Sequence, residues 1–205
     1  GEFAYTVDVT GLQTFPELYR NGVPLGTQSQ WGWHSFPNPD NLRHEETLKS
    51  YDFGHGHPEL YSTQLKEPER GKSASDWYRV NPHRLHLGII GFDGVKKSQI
   101  SNIDQTLDMW SGTVTSDFKV DSRPVKVMTA CHPDRDMISA EITSAAHLPV
   151  VFRMPSPTGA HADDACDWTR DSLHITEVVR SGSNSALLRH TLDDTSYYIN
   201  VSWTQ

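Results

Sequence analysis

The sequence has little of what usually signals a function. Only two cysteines occur in 205 residues, Cys131 and Cys166. One possible bridge in a chain of this size does not reveal a compartment, and the simpler reading is two free, largely buried thiols. Basic charge is also scarce: 18 Lys and Arg stand against 26 Asp and Glu, a formal charge of -8. No segment gathers enough cations to track a row of phosphates, so no nucleic-acid partner is expected. No apolar run approaches the roughly 20 residues that cross a bilayer, so no membrane span is expected. The opening GEFAYTVDV has neither a charged leader nor an apolar signal core. Catalytic signatures are missing as well: there is no Gly-x-Ser-x-Gly elbow, phosphate-binding glycine loop or His-Glu-x-x-His. No cofactor is expected.

What is present is a β pattern. With 36% hydrophobic residues the chain can bury a core. In SYYINVSW the residues Tyr197, Ile199, Val201 and Trp203 alternate with polar neighbours, which predicts a half-buried strand with those four on one buried face. Val114, Phe118 and Val120 repeat the alternation. Val125, Val127, Thr129 and Cys131 do so again beyond a DSRP turn, which predicts a hairpin. Further strands are expected over 85–91, 105–110, 136–143, 148–154 and 172–180, with 3–9 as an additional candidate. Short strands separated by turn residues, with no convincing helical stripe, predict a mainly β fold: an antiparallel β-sandwich occupying residues 1–205 as one domain.

Residues 20–84 break the rhythm and read as one long, irregular, loop-rich insertion near the N-terminus. PNPDNLRHEETLKSY suits a short helix capped by Asp40 or Asn41, whereas KEPERGKSAS reads as exposed loop. The chain starts without Met and enters an apolar run at once, so it reads as a piece of a longer polypeptide.

The candidate site residues lie in this segment and at its end. In QWGWHSFPNP an extended backbone projects Trp31 and Trp33 to the same side, and flat indoles on a proline-stiffened support suit the apolar face of a sugar; His34 stands beside them. In VNPHRLHLGIIG the residues His83, Arg84 and His86 sit where a loop meets a strand, and Arg84 either forks onto a carboxylate or holds the loop down. His55 and His57 flank a glycine. A zinc ion needs three or four ligands, and nothing nearby has the spacing to complete the set, so the pair reads as a solvated turn and no metal is expected. The acidic clusters HPDRD and HADDACDW read as solvated turns too, since a glycosidase pair is defined by separation in space.

Four segments carry a family resemblance: GEFAYTVDVTGLQTF, PLGTQSQWGWHSFPNP, VNPHRLHLGIIG and QTLDMWSGTVTSDFKVDSRPVKVMTACHPDRD. Together they resemble the N-terminal supersandwich region of secreted bacterial carbohydrate-active enzymes with an (α/α)6 barrel, the six-hairpin glycosidase-like proteins akin to family 65 and family 95 glycoside hydrolases. The resemblance implies a secreted or periplasmic location and a parent hydrolase or phosphorylase. It also implies two partners, a carbohydrate and a C-terminal (α/α)6 barrel. The catalytic carboxylates of those families belong to the barrel, so no catalytic residue carries over. The expected function is a non-catalytic β-sandwich domain lending Trp31, Trp33, His34, His83, Arg84 and His86 to a carbohydrate cleft. An autonomous carbohydrate-binding module and a purely structural docking domain are the alternatives.

Overall fold

A computed structural model describes residues 3–30 and 32–204. In chain order its strands are β1 (Phe3–Tyr5), β2 (Thr27–Ser29), β3 (Trp33–His34), β4 (Leu48–Tyr51), β5 (Glu59–Ser62), β6 (His83–Arg84), β7 (Ile89–Phe92), β8 (Ile100–Asp108), β9 (Thr113–Val120), β10 (Arg123–Cys131), β11 (Ile138–Ser144), β12 (Val150–Arg153), β13 (Ser156–Pro157), β14 (Cys166–Asp167), β15 (His174–Ser181), β16 (Ser185–Leu192) and β17 (Thr195–Ser202). One α-helix, α1, spans Glu69–Val80. The fold is mainly β and antiparallel, as the alternation predicts. The chain forms two compact units. The first takes in residues 3–30, 32, 84–158 and 162–204, and the second 33–83 with 159–161.

The first unit is built on the sheet β11-β10-β9-β8 and the sheet β15-β16-β17. The expected hairpin joins β9 to β10: Asp121 and Ser122 both take positive φ, 46° and 70°, the turn whose twist matches its strands, and Val120 pairs with Arg123. One face of this hairpin carries Phe118, Val120, Val125 and Val127, which close on Leu12 and Phe92 to form the core. The loop that supplies Leu12 is polar, and hydrogen bonds to its buried side chains offset the cost of burying it. The Asp8 carboxylate accepts from the Thr10 amide (2.8 Å), the Thr10 hydroxyl (2.5 Å) and the Phe15 amide (2.7 Å). Gln13 Nε2 donates to the carbonyls of Thr6 and Gly26, both at 2.9 Å, while the Ile90 amide donates to its Oε1 at 3.1 Å. Thr129 Oγ1 donates to the Gly11 carbonyl at 2.7 Å. Burial pushes the Asp8 carboxyl upward, and these donors pull it back part of the way.

The second unit holds most of the segment expected to be loop, and here the sequence reading needs correcting. The short helix anticipated within 37–51 is a single 3-10 turn, His44–Thr47, running into β4. The true helix, α1, begins inside the KEPERGKSAS stretch. Small residues make it possible: Gly71, Ala74 and Ser75 form its buried side, and a Cβ on Gly71 would approach Leu65 Cδ1 to 3.0 Å and the Glu46 carbonyl to 3.3 Å. On its exposed side Lys72 pairs with Asp76 at 2.5 Å. Asn81 closes the far end, donating from Nδ2 to the Trp77 carbonyl at 3.0 Å.

Three smaller expectations also change. Both thiols are free, but Cys131 is exposed and only Cys166 is partly buried. Tyr197, Ile199 and Val201 do share the half-buried side of β17, whereas Trp203 lies beyond the strand and is 41% exposed. Strand β16 was not anticipated.

Candidate functional site

Of the histidines expected to line an open site, His34 is buried and His83 and His86 are half-buried. On β3 the pleat buries His34 (3% exposed) and turns Trp33 outward (48%). His34, Phe36 and His83 form a knot with ring centroids 5.1–5.6 Å apart. Asn81 fixes it by accepting from the Phe36 amide at 2.5 Å. His83 Nδ1 meets the Val80 carbonyl at 2.8 Å, and burial lowers the pKa of the ring, keeping it neutral. In the first unit, His86 Nδ1 accepts from the Gly88 amide at 3.1 Å, so its Nε2 carries the proton and donates to the Leu25 carbonyl at 3.0 Å. Trp168 stands edge-on to it at 5.2 Å, and burial again lowers the pKa. Of the six residues singled out, Trp33 and Arg84 are exposed, His34, His83 and His86 are packing groups, and Trp31 lies outside the described residues.

The exposed aromatic surface is found on a different element of the second unit, the β4–β5 hairpin. Its register pairs Lys49 with Tyr61 and Tyr51 with Glu59. Directly opposed residues share a face, so Lys49, Tyr51, Glu59 and Tyr61 all project to one side. The connection 52–58 turns through Gly54 and Gly56 (φ 81° and 74°), positions where a Cβ would be strained, and Asp52 Oδ1 accepts the Gly54 amide at 2.8 Å. Phe53 thereby joins the aromatic face. Its ring lies parallel to Tyr51 within 9° at 6.1 Å, and Tyr61 stands edge-on to both at 5.9 and 6.0 Å. Lys49 Nζ sits 5.4 Å from the Tyr51 ring centroid. Phe53 is 61% exposed and Tyr61 48%, although aromatic rings of this size are normally buried.

This face combines aromatic rings with a cation and a carboxylate, so it offers a stacking surface with polar groups beside it. Its sequence signal is the spacing of Tyr51, Phe53 and Tyr61 around a glycine-rich turn in YDFGHGHPELY. The two histidines there, His55 and His57, are exposed on the turn.

A second exposed pair marks the β8–β9 turn of the first unit, where Met109 and Trp110 are 86% and 99% exposed. Asp108 fixes that turn by accepting from the Trp110 amide at 2.9 Å and the Ser111 hydroxyl at 2.8 Å. Comparison of the chain with protein-family models, with curated protein sequences and with solved structures returned no match.

Proposed function

We propose that this chain is a non-catalytic β-domain of a carbohydrate-active enzyme, working beside an (α/α)6 barrel of a glycoside hydrolase or phosphorylase and offering a glycan-facing aromatic surface. One observation carries the carbohydrate part of this reading: the parallel rings of half-buried Tyr51 and exposed Phe53 with exposed Tyr61 beside them, on one face of the β4–β5 hairpin and flanked by Lys49 and Glu59. The sequence resemblance supplies the enzymatic setting and a secreted or periplasmic location.

The chemistry follows from the shape. A pyranose presents C–H bonds on its faces and hydroxyls around its rim, so the rings stack against the face while Lys49 and Glu59 reach the rim. The surface is open and lacks the enclosing walls that bury most of a tightly held ligand, so affinity for a free oligosaccharide is weak. Cleaving a glycosidic bond requires two carboxyl groups fixed on either side of it, and the paired strand positions of this face supply one, Glu59. The test is ligand titration of the folded chain followed by residue-resolved NMR, alongside Phe53→Ala and Tyr61→Ala. Shifts on the hairpin that both substitutions weaken support the reading.

A further inference from the structure

Strand β15 is an edge strand. It is eight residues long, the terminal member of the sheet β15-β16-β17, and everything from Ile175 to Ser181 on it is exposed. Three β-branched apolar side chains lie on it in the open: Ile175 at 63%, Val178 at 64% and Val179 at 51%. A long exposed edge of this composition is a template for pairing, and natural sheets commonly blunt such edges with charge, proline or a covering segment.

The charges on β15 do something other than blunt it. Regular alternation would put Glu177 and Arg180 on opposite faces of the strand. The ladder with β16 slips by one residue between Val178 and Arg180, so Glu177 pairs with Arg189 and Arg180 with Leu187. Positions 187 and 189 lie on the same face of β16, so the bulge returns Glu177 and Arg180 to one face. Glu177 holds Arg189 at 2.6 Å, while Arg180 has no side-chain ion pair among the described residues.

We infer that β15 is a self-association edge, pairing antiparallel with β15 of a second copy about a two-fold axis between Val178 and Val179. In that register Glu177 of each copy lies opposite Arg180 of the other, Val178 lies opposite Val179, and the two three-stranded sheets become one of six. The arrangement is isologous, so each contact occurs twice. The opposite charges, placed on one face by the bulge, are what select a second copy as the occupant: the edge is complementary to itself, with a second copy's carboxylate facing a cation that is otherwise unpaired.

The test is sedimentation velocity on the folded chain over a concentration series, with charge reversals. Wild type is expected to dimerise. Arg180→Glu and Glu177→Lys each set two like-charged pairs across the axis and should weaken the dimer about tenfold or more, with thermal melts showing that both variants remain folded. An equimolar mixture of the two restores opposite charges at both contacts, so it should form heterodimers with affinity near wild type. A wild type that stays monomeric at roughly 100 μM overturns the inference. So does a dimer indifferent to both reversals, which would place the interface elsewhere, and so does a mixture that fails to recover.

Discussion

His190 should make the protein acid-labile, and the size of the effect can be worked out from its surroundings. Its side chain has no solvent exposure. Nδ1 lies 2.8 Å from Thr176 Oγ1, and Nε2 is buried with no hydrogen-bond partner among the described residues. The neighbouring rings are His174 at 4.9 Å and Tyr197 at 5.1 Å. Nε2 of His174 lies 3.9 Å from the Asp171 carboxylate. Burial, and then repulsion from His174, hold the His190 pKa down at about 4 against an ordinary 6.5. Between those values the unfolded chain binds a proton at position 190 that the folded chain refuses. Unfolding therefore takes up a proton, and stability is complete above pH 6.5 and lost as pH falls toward 4. The full loss is about 3 kcal/mol, most of it between pH 7 and pH 4.5. His190→Asn keeps an amide near the Nδ1 position to meet Thr176. That variant should be less stable than wild type at pH 7 yet lose less on acidification. Urea unfolding of both proteins at pH 7 and pH 4.5 measures this, since the other titrating groups contribute to each. If the two lose the same stability to within about 0.5 kcal/mol, His190 does not carry the acid response and the reasoning fails.

Two further outcomes follow from the first unit. Gly11 has φ 75°, and a Cβ there would stand 3.0 Å from both Ser116 Oγ and Val127 Cγ1. Gly11→Ala should therefore cost about 2–4 kcal/mol, combining left-handed backbone strain with overpacking of the core, and an unchanged urea midpoint would contradict the packing described. For the thiols, Cys131 is exposed, whereas burial and then the Asp164 carboxylate push Cys166 up to about 12. A disulfide reagent at pH 8 should label Cys131 in the folded chain and reach Cys166 only after denaturation; peptide mapping that finds Cys166 labelled first would contradict this.

How much could be read from the sequence depended on whether local pattern or tertiary packing decides an element. The β9–β10 hairpin was legible because Phe118, Val120, Val125 and Val127 alternate on either side of a two-residue turn at Asp121 and Ser122. β17 was legible for the same reason. β16 was not, because Leu187 and Leu188 are adjacent and blur the period of two. The helix α1 hid behind Gly71, Ser73 and Ser75, poor helix formers that succeed because small side chains let the helix seat closely on the 3-10 turn before β4. At the site, the pattern pointed to histidines in a polar loop as surface groups. The structure buries His34 and half-buries His83 and His86, whose rings meet the Val80 and Leu25 carbonyls, a state histidine accepts and a sequence does not display. The aromatic face of β4–β5 arises from register: Tyr61 joins Tyr51 and Phe53 only once Lys49 is paired with it.

Residue-resolved NMR titration of the chain with a panel of oligosaccharides tests the central claim most directly. The account predicts weak binding, with dissociation constants around the millimolar range, and shifts concentrated on Lys49, Tyr51, Phe53, Glu59 and Tyr61. Phe53→Ala should weaken it by about 1 kcal/mol or more while leaving the His34–Phe36–His83 knot unperturbed. No response on this hairpin to any oligosaccharide, or binding that Phe53→Ala leaves intact, would contradict the carbohydrate reading.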